Sequence, residues 1–416
     1  MLAACSDDST SGPASNGSTI TGPTGTTPVV TSPASTTTPA STTTVNIEEV
    51  AFAYSEAGPN PVGVTTLMLS EGTKVEVWYP AVAGTTGTET YDVRDFTPDA
   101  IKALLTADVP ATSTYAAGRD AEVADGTFPV VLFSHGLIGF RLQSTFLTSH
   151  LASWGMIVVA PDHPSRDLPH ILDLLGDRTT RPPEGSVDEL LRSLELIVAE
   201  GETAGSRFAG HVDGTQVAAL GHSAGGGTAL RAASDPRVNG YVSMASGALG
   251  GRRPAPGTTT DTAIATTTST MPTLPGKPSF FIAGSADGVA SVTKLTRPSF
   301  DAAPSPSLLW VIEGAGHNAF DDFCTFGNGT GIIGVAEASG LGSFFDSVQG
   351  GDSFDVRALG EDGCLPPAPP VETTYPIINH SVTAWLRALF GIDAEPVGLG
   401  PEVADAYAVP VEIDSK

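Results

Sequence analysis

Basic residues are scarce in this chain: Lys and Arg number 20 against 46 Asp and Glu, a formal net charge of −26 at pH 7. A surface so acidic repels phosphate backbones and anionic lipid headgroups, which argues against nucleic acid as a partner. Long hydrophobic runs are missing as well. None reaches eighteen residues, so no segment reads as a membrane-spanning helix. Cysteine is the third shortage, with three in 416 residues. No internal repeat is found, and length alone decides little, because single α/β domains of more than about two hundred residues are common.

The cysteines divide into one at the terminus and a distant pair. Cys5 ends Leu2-Ala3-Ala4-Cys5, which resembles the lipobox at which bacterial lipoprotein precursors are cleaved and acylated. Residues 1–5 are therefore read as the remnant of a signal peptide whose start lies upstream, with Cys5 as the lipidation candidate and an accidental match as the alternative. Residues 6–45 are almost wholly Ser, Thr, Pro, Gly, Asn and Asp, a composition that cannot bury enough apolar surface to fold and reads as a disordered tether, with a frayed, Thr-rich terminus of a secreted protein as the alternative. Cys324 and Cys364 are expected to be bridged, as paired cysteines are in an envelope or extracellular setting, with two buried thiols as the alternative. Such a bridge closes a loop of about forty residues, worth on the order of 4 kcal/mol by chain entropy.

Residues 46–395 carry the pattern of one α/β domain, followed by a tail at 396–416. Alternation over 62–69 and 73–79, with Glu71-Gly72 between, predicts an antiparallel hairpin at a sheet edge. The spacing at 98–107 is helical, amid loop. The continuous apolar run 128–133 predicts a strand buried on both faces; a helix at 142–154 and a second buried strand at 156–163 follow, a parallel crossover. Ser186-Val187-Asp188-Glu189 reads as a capping box opening a helix to 200, with Leu190, Leu191, Leu194 and Val198 as its apolar stripe. Strands at 238–244, 278–284 and 308–312 and a last helix at 375–390 complete a mostly parallel sheet with helices on both faces. Two insertions interrupt this rhythm: 249–277, rich in Gly, Pro and Thr, and 318–373, which carries Cys324 and Cys364. The second is expected to shape a substrate mouth.

The stretch Val217-Ala218-Ala219-Leu220-Gly221-His222-Ser223-Ala224-Gly225-Gly226-Gly227 joins an apolar strand to a helical pattern through G-x-S-x-G, a nucleophile elbow. The turn is so tight that side chains two before and two after the serine would collide, hence Gly221 and Gly225. Ser223 is thereby held proud of the sheet, and the following helix aims its amides and positive dipole end at the same spot. A serine needs a base, and the base an orienting carboxylate. In the α/β-hydrolase order of serine, acid, histidine, only His317 and His380 of the eight histidines follow Ser223. His317 lies in a Gly-rich loop just after an apolar strand, where the ring can swing to the serine; His380 falls inside the last helix and reads as packed or solvated. The strand after the elbow ends without a carboxylate, whereas the next ends in Ala283-Gly284-Ser285-Ala286-Asp287-Gly288, making Asp287 the acid, with an ordinary turn aspartate as the alternative. The backbone amides of Ala224 and Leu137 are the oxyanion donors. Gly136 lets the chain approach closely, and His135 reads as structural.

Phe133-Ser134-His135-Gly136-Leu137 through Phe140-Arg141, then Leu151-Ala152-Ser153-Trp154-Gly155 and Gly221-His222-Ser223-Ala224-Gly225-Gly226, resemble the platelet-activating-factor acetylhydrolase and dienelactone-hydrolase-like esterases of the α/β-hydrolase superfamily. Val62-Gly63-Val64 and Val77-Trp78-Tyr79-Pro80-Ala81 are similar to that group's amino-terminal hairpin. The resemblance spans about residues 50–320 plus the final helix. It implies an α/β-hydrolase fold with a mostly parallel central sheet, and ester hydrolysis without a metal or organic cofactor. The chain departs from the animal acetylhydrolases, which carry the acid after the strand following the elbow, where Ser246 stands here. Asp287 instead resembles the dienelactone-hydrolase and cutinase-like arrangement, and the Gly-His-Ser-Ala-Gly-Gly-Gly run is also similar to bacterial polyester hydrolases.

The expectation is a serine carboxylic-ester hydrolase acting on a small or lipid-like ester through Ser223, Asp287 and His317, with a polyester or cutinase-like hydrolase as the alternative. A binding lipoprotein that keeps the fold without catalysis is the alternative of another class. A third reading is a metal-dependent hydrolase using Asp162, His163, Asp167 and His170. The expected chain is a monomer, placed in a bacterial envelope as a lipoprotein or secreted, touching membrane only through a lipid anchor at Cys5.

Overall fold

The computed structural model describes residues 46–106, 108–176, 185–248, 272–343 and 356–416. The lipobox at 1–5, the tether at 6–45, most of the insertion at 249–277 and part of that at 318–373 lie outside the described residues.

Twelve strands appear among the described residues: β1 Val62–Met68, β2 Lys74–Pro80, β3 Thr88–Asp92, β4 Thr112–Ala116, β5 Gly118–Arg119, β6 Phe128–Ser134, β7 Ile157–Pro161, β8 Val212–His222, β9 Gly240–Met244, β10 Ser279–Gly284, β11 Ser307–Ile312 and β12 Val411–Ser415. Ten of them form one sheet in the order β12-β11-β10-β9-β8-β6-β7-β2-β1-β5. From β7 to β11 every neighbouring pair is parallel. The hairpin β1–β2 joins antiparallel to β7, as its alternating pattern implies. The fold is that of an α/β-hydrolase.

The central strands are apolar throughout because both faces are covered. Val131 and Phe133 of β6 pack with Val158, Leu220, Met244 and Trp310 against the helices Thr145–Ser153 and Val371–Leu389. Val130 and Leu132 face the other way, with Val159, Ala219 and Phe281, toward the helices Ser186–Glu202 and Ala224–Ala232. Each fully buried large apolar side chain contributes about 1.5–3 kcal/mol relative to exposure. No helix among the described residues is long and apolar enough to cross a membrane.

Four expectations need correction. The segment 396–416 is not a tail: β12 pairs antiparallel with β11 and extends the sheet. The helical spacing at 98–107 yields only Asp99–Lys102, between β3 and β4, which pair as a separate ribbon. Their sequences, Thr-Glu-Thr-Tyr-Asp and Thr-Ser-Thr-Tyr-Ala, alternate without an apolar face, so periodicity is silent there. The capping box does not form, since the N-cap of Ser186–Glu202 is Gly185 and has no side-chain cap. Glu189 instead accepts from the buried Nδ1–H of His163 at 2.7 Å, a donor that water cannot serve as it can an exposed helix amide. The last helix begins earlier than 375, at Val371, and carries Pro376 inside it.

Candidate active site

Parallel strands bring their C-terminal ends to one edge, and the candidate residues follow those ends: the loop containing Leu137 after β6, Ser223 after β8, Asp287 after β10 and His317 after β11. Ser223 sits at φ 55°, ψ −123°, a left-handed backbone that a residue with a side chain adopts only under constraint. Its amide donates to the Met244 carbonyl at 2.9 Å. The glycines around it are sterically required. A Cβ on Gly225 would overlap the carbonyl of Ser134, and one on Gly221 would overlap the carbonyl of Gly225.

Asp287 and His317 converge on that serine. Asp287 Oδ1 accepts the amides of Val289 at 2.8 Å and Ala290 at 2.6 Å, which fixes the carboxylate. Its Oδ2 lies 2.9 Å from His317 Nδ1, and His317 Nε2 lies 2.9 Å from Ser223 Oγ. A carboxylate can only accept, so Nδ1 carries the proton and Nε2 is left to accept from the serine hydroxyl. His317 is 1 % exposed and Asp287 6 %, so the relay is shielded from competing water. His317 does not swing on a flexible loop as expected. It opens the 3₁₀ turn His317–Phe320 and its amide donates to Asp362.

Two backbone amides face no competing partner. Ala224 begins its helix and so has no intrahelical acceptor. Leu137 has no protein acceptor among the described residues, while both neighbours are tied: Gly136 donates to Gln143 Oε1 at 2.7 Å and Ile138 to the Arg166 carbonyl at 2.9 Å. Gly136 approaches the nucleophile so closely that a Cβ there would lie 3.2 Å from Ser223 Cβ.

Several buried polar residues around the site were not singled out from the sequence. His222, next to the nucleophile, donates through Nε2 to the His317 carbonyl at 3.0 Å. Its Nδ1 accepts from Gln143 Nε2 at 3.1 Å, and the same amide donates to Asp321 Oδ2 at 2.8 Å. Gln143 thus joins the loop after β6, the elbow and the segment after His317. Burial, then the neighbouring His317, hold His222 well below the usual imidazole range. Burial pushes Asp321 well above the carboxylate range and Asp322 up to about 6. The available signal was polar residues beside Gly loops in otherwise apolar surroundings, and it does not say which pair.

Behind the elbow, Ser134 Oγ donates to His163 Nε2 at 2.8 Å and His163 Nδ1 donates to Glu189. The connectivity is that of a triad, yet Ser134 and His163 are fully buried. Arg166 donates to Ser134 Oγ at 2.7 Å and to Thr228 Oγ1 at 2.8 Å, so the array braces the elbow helix against the loop after β6. His135 is structural in the same way, accepting the His163 amide through Nε2 at 3.0 Å. Burial, then the Arg166 charge, keep both imidazoles neutral.

The four residues of the metal reading are committed elsewhere. Asp162 pairs with Arg141, His163 with Ser134 and Glu189, and Asp167 with His170. No group of three or more metal-ligating side chains converges among the described residues. His380 is packed, accepting the Tyr54 amide and donating to the Gly398 carbonyl. Cys324 and Cys364 are joined as a disulfide.

Residues 101–347 match a family model described as PET hydrolase-like. The chain is similar to cutinase est2 of Thermobifida alba, 25% identical over 198 residues, which are 47% of this chain and 54% of the cutinase. It therefore spans about half the length of that curated relative. A solved ferulic acid esterase from Streptomyces cinnamoneus superposes with a TM-score of 0.51 over 80% of this chain and 91% of that one, at 18% identity, a likeness in fold. The resemblance to acetylhydrolases and dienelactone hydrolases is thus met at the level of the α/β-hydrolase superfamily.

Proposed function

The chain belongs to the PET hydrolase-like family, and from that premise we propose that it is a serine carboxylic-ester hydrolase working through an acyl-enzyme. The observation that carries the reading is the unbroken relay from Asp287 through His317 to Ser223, both contacts at 2.9 Å, at the tip of a strained elbow. As Ser223 Oγ attacks the ester carbonyl, its proton passes to His317 Nε2, and Asp287 stabilises the imidazolium. The amides of Leu137 and Ala224 hold the oxyanion. His317 then protonates the departing alcohol, and water, deprotonated by the same nitrogen, releases the acid.

Between a small or lipid-like ester and a polyester, the family match and the cutinase relative favour the polyester. The loops that resemble acetylhydrolases and dienelactone hydrolases support the same reaction and do not choose the acyl group. The Cys324–Cys364 bridge supports an oxidising compartment, and the lipobox ahead of Cys5 supports attachment to a bacterial envelope. We place the protein there or outside the cell, as a monomer, with no nucleic-acid partner.

Ser223→Ala is expected to abolish hydrolysis of p-nitrophenyl esters, a loss on the order of 10⁴-fold or more, with the melting temperature preserved. Undiminished turnover would overturn the proposal. A wild-type protein that no fluorophosphonate probe labels would favour the non-catalytic binding lipoprotein.

A further inference from the structure

We propose that Asp362 is a positioning residue for the triad: a carboxylate clamp that locks the loop bearing Asp287 to the loop bearing His317, and that the Cys324–Cys364 disulfide holds in place. The inference rests on the ester-hydrolase reading and deepens it.

The two oxygens of Asp362 divide between the two loops. Oδ1 accepts the His317 amide at 2.5 Å, and Oδ2 accepts the Gly288 amide at 3.2 Å. One carboxylate thus spans the base itself and the neighbour of the acid. The Asp362 carbonyl accepts the Asn318 amide at 2.9 Å, and the Asn318 side chain donates to the Leu359 carbonyl at 3.0 Å, so the histidine turn is fastened to its clamp through the main chain as well.

Three glycines make room for it. A Cβ on Gly288 would lie 2.7 Å from Asp362 Oδ2, and one on Gly316 would lie 2.6 Å from Oδ1 and collide with the Gly363 Cα. Gly363 itself has φ +88° and meets Gly316 from the other side. This close approach of two backbones is possible only without side chains.

The clamp is anchored behind. Cys364 bonds to Cys324, which sits buried in the 3₁₀ turn Phe323–Thr325 just downstream of the histidine turn. Asp362 and Cys364 lie beyond the stretch that the family model matches, so the clamp comes from a part of the chain outside that match.

Other ionisable groups also face His317. Asp287 meets Nδ1, the His222 ring centre lies 4.8 Å away, and Asp321 stands 3.5 Å behind His222. Asp362 is therefore one of three carboxylates about the base, and it binds the base's amide and not its ring. Its proximity gives it an electrostatic effect on the imidazolium in addition to a geometric one. Burial pushes its own carboxyl up, opposed by the His317 amide.

The test compares wild type, Asp362→Ala, Asp362→Asn and the double variant Cys324→Ser/Cys364→Ser. Each is assayed from about pH 5 to 9 for kcat and KM on p-nitrophenyl butyrate and for the rate of fluorophosphonate labelling of Ser223, with thermal melting as a folding control. Asp362→Ala is expected to lower kcat roughly 10–100-fold with KM within about twofold, since a misplacement of ~1 Å costs on that order. Asp362→Asn, which keeps one acceptor oxygen without charge, should recover part of kcat and move the acid limb of the kcat/KM profile to lower pH. The double variant should lose kcat in the same direction, and labelling should slow in step. If the alanine variant fails to fold, the asparagine variant carries the test through its shifted limb. An active wild type whose Asp362 variants keep kcat within about twofold and leave the limb unmoved overturns the clamp alone. A wild type that neither hydrolyses nor labels overturns the ester-hydrolase reading and the clamp with it.

Discussion

His222 grips the backbone of His317: its Nε2–H donates to the His317 carbonyl at 3.0 Å, and the two rings lie 4.8 Å apart. The residue before the nucleophile thereby positions the base that serves the nucleophile. His222→Phe keeps the ring's bulk and removes the bond. We expect kcat to fall about tenfold at unchanged KM, with a stability loss of about 1–3 kcal/mol for the carbonyl and amide left unpaired. Steady-state kinetics and urea denaturation check both; an unchanged kcat would assign His222 to packing alone.

Asp287→Asn preserves shape and reverses the hydrogen bond. The amide nitrogen can donate to Nδ1, which drives the imidazole proton to Nε2, where it blocks uptake of the serine proton. The expected loss in kcat is on the order of 10³–10⁴-fold with the fold intact by circular dichroism. A residual rate within about tenfold of wild type would point to another acid.

Gly225→Ala forces a Cβ into the Ser134 carbonyl, between two residues, Ser134 and Gly225, that are both buried. Backbone on both sides has nowhere to move, so a destabilisation of about 3 kcal/mol or more is expected, measured as the shift in urea midpoint. A melting curve superimposable on that of wild type would show that the elbow is looser than its contacts imply.

Acid should destabilise the protein through its buried neutral histidines. Burial pushes His150 and His380 down to about 4, and holds His135, His163 and His222 well below the usual range. A depressed histidine contributes stability that is complete above its unfolded value, about 6.5, and is lost as pH falls through its folded value. Asp167 and Asp322, pushed up to about 6 by burial, and Asp321 and Asp362, which burial also raises, act oppositely: their contribution is complete below the unfolded carboxylate value and is lost as pH rises through the folded value. The histidines are more numerous, so the melting temperature should fall between about pH 6.5 and 4. His380→Gln should remove roughly 3 kcal/mol from the accompanying loss of unfolding free energy, and Asp322→Asn should steepen that loss. Parallel pH profiles of wild type and His380→Gln would refute the assignment.

The parts legible in the chain are those encoded over a few residues. The apolar runs of β6, β7 and β8 name a sheet covered on both faces, and Gly221 and Gly225 name a turn whose sterics admit nothing larger. Asp287 and His317 were accessible because parallel strands deliver the residues after their ends to one edge. The capping box illustrates the opposite case. Ser186 and Glu189 satisfy the local pattern, but Glu189 is claimed by His163, a residue whose need for an acceptor exists only once the helix lies against β6 and β7. The segment 396–416 misled for the same reason, since an edge strand owes its existence to the partner it finds.

The sequence by itself determined the strand-and-helix alternation, the elbow and the order of serine, acid and histidine, because steric exclusion and apolar periodicity act between near neighbours. Only the tertiary structure decided how the site is held: Gln143 joining three loops, Ser134, His163 and Arg166 bracing the elbow, and Asp362 reaching His317 across the insertion. Such contacts satisfy buried polar groups that are distant in the chain. Burial is a property of the assembled core, and no local spacing records which donor will meet which acceptor there.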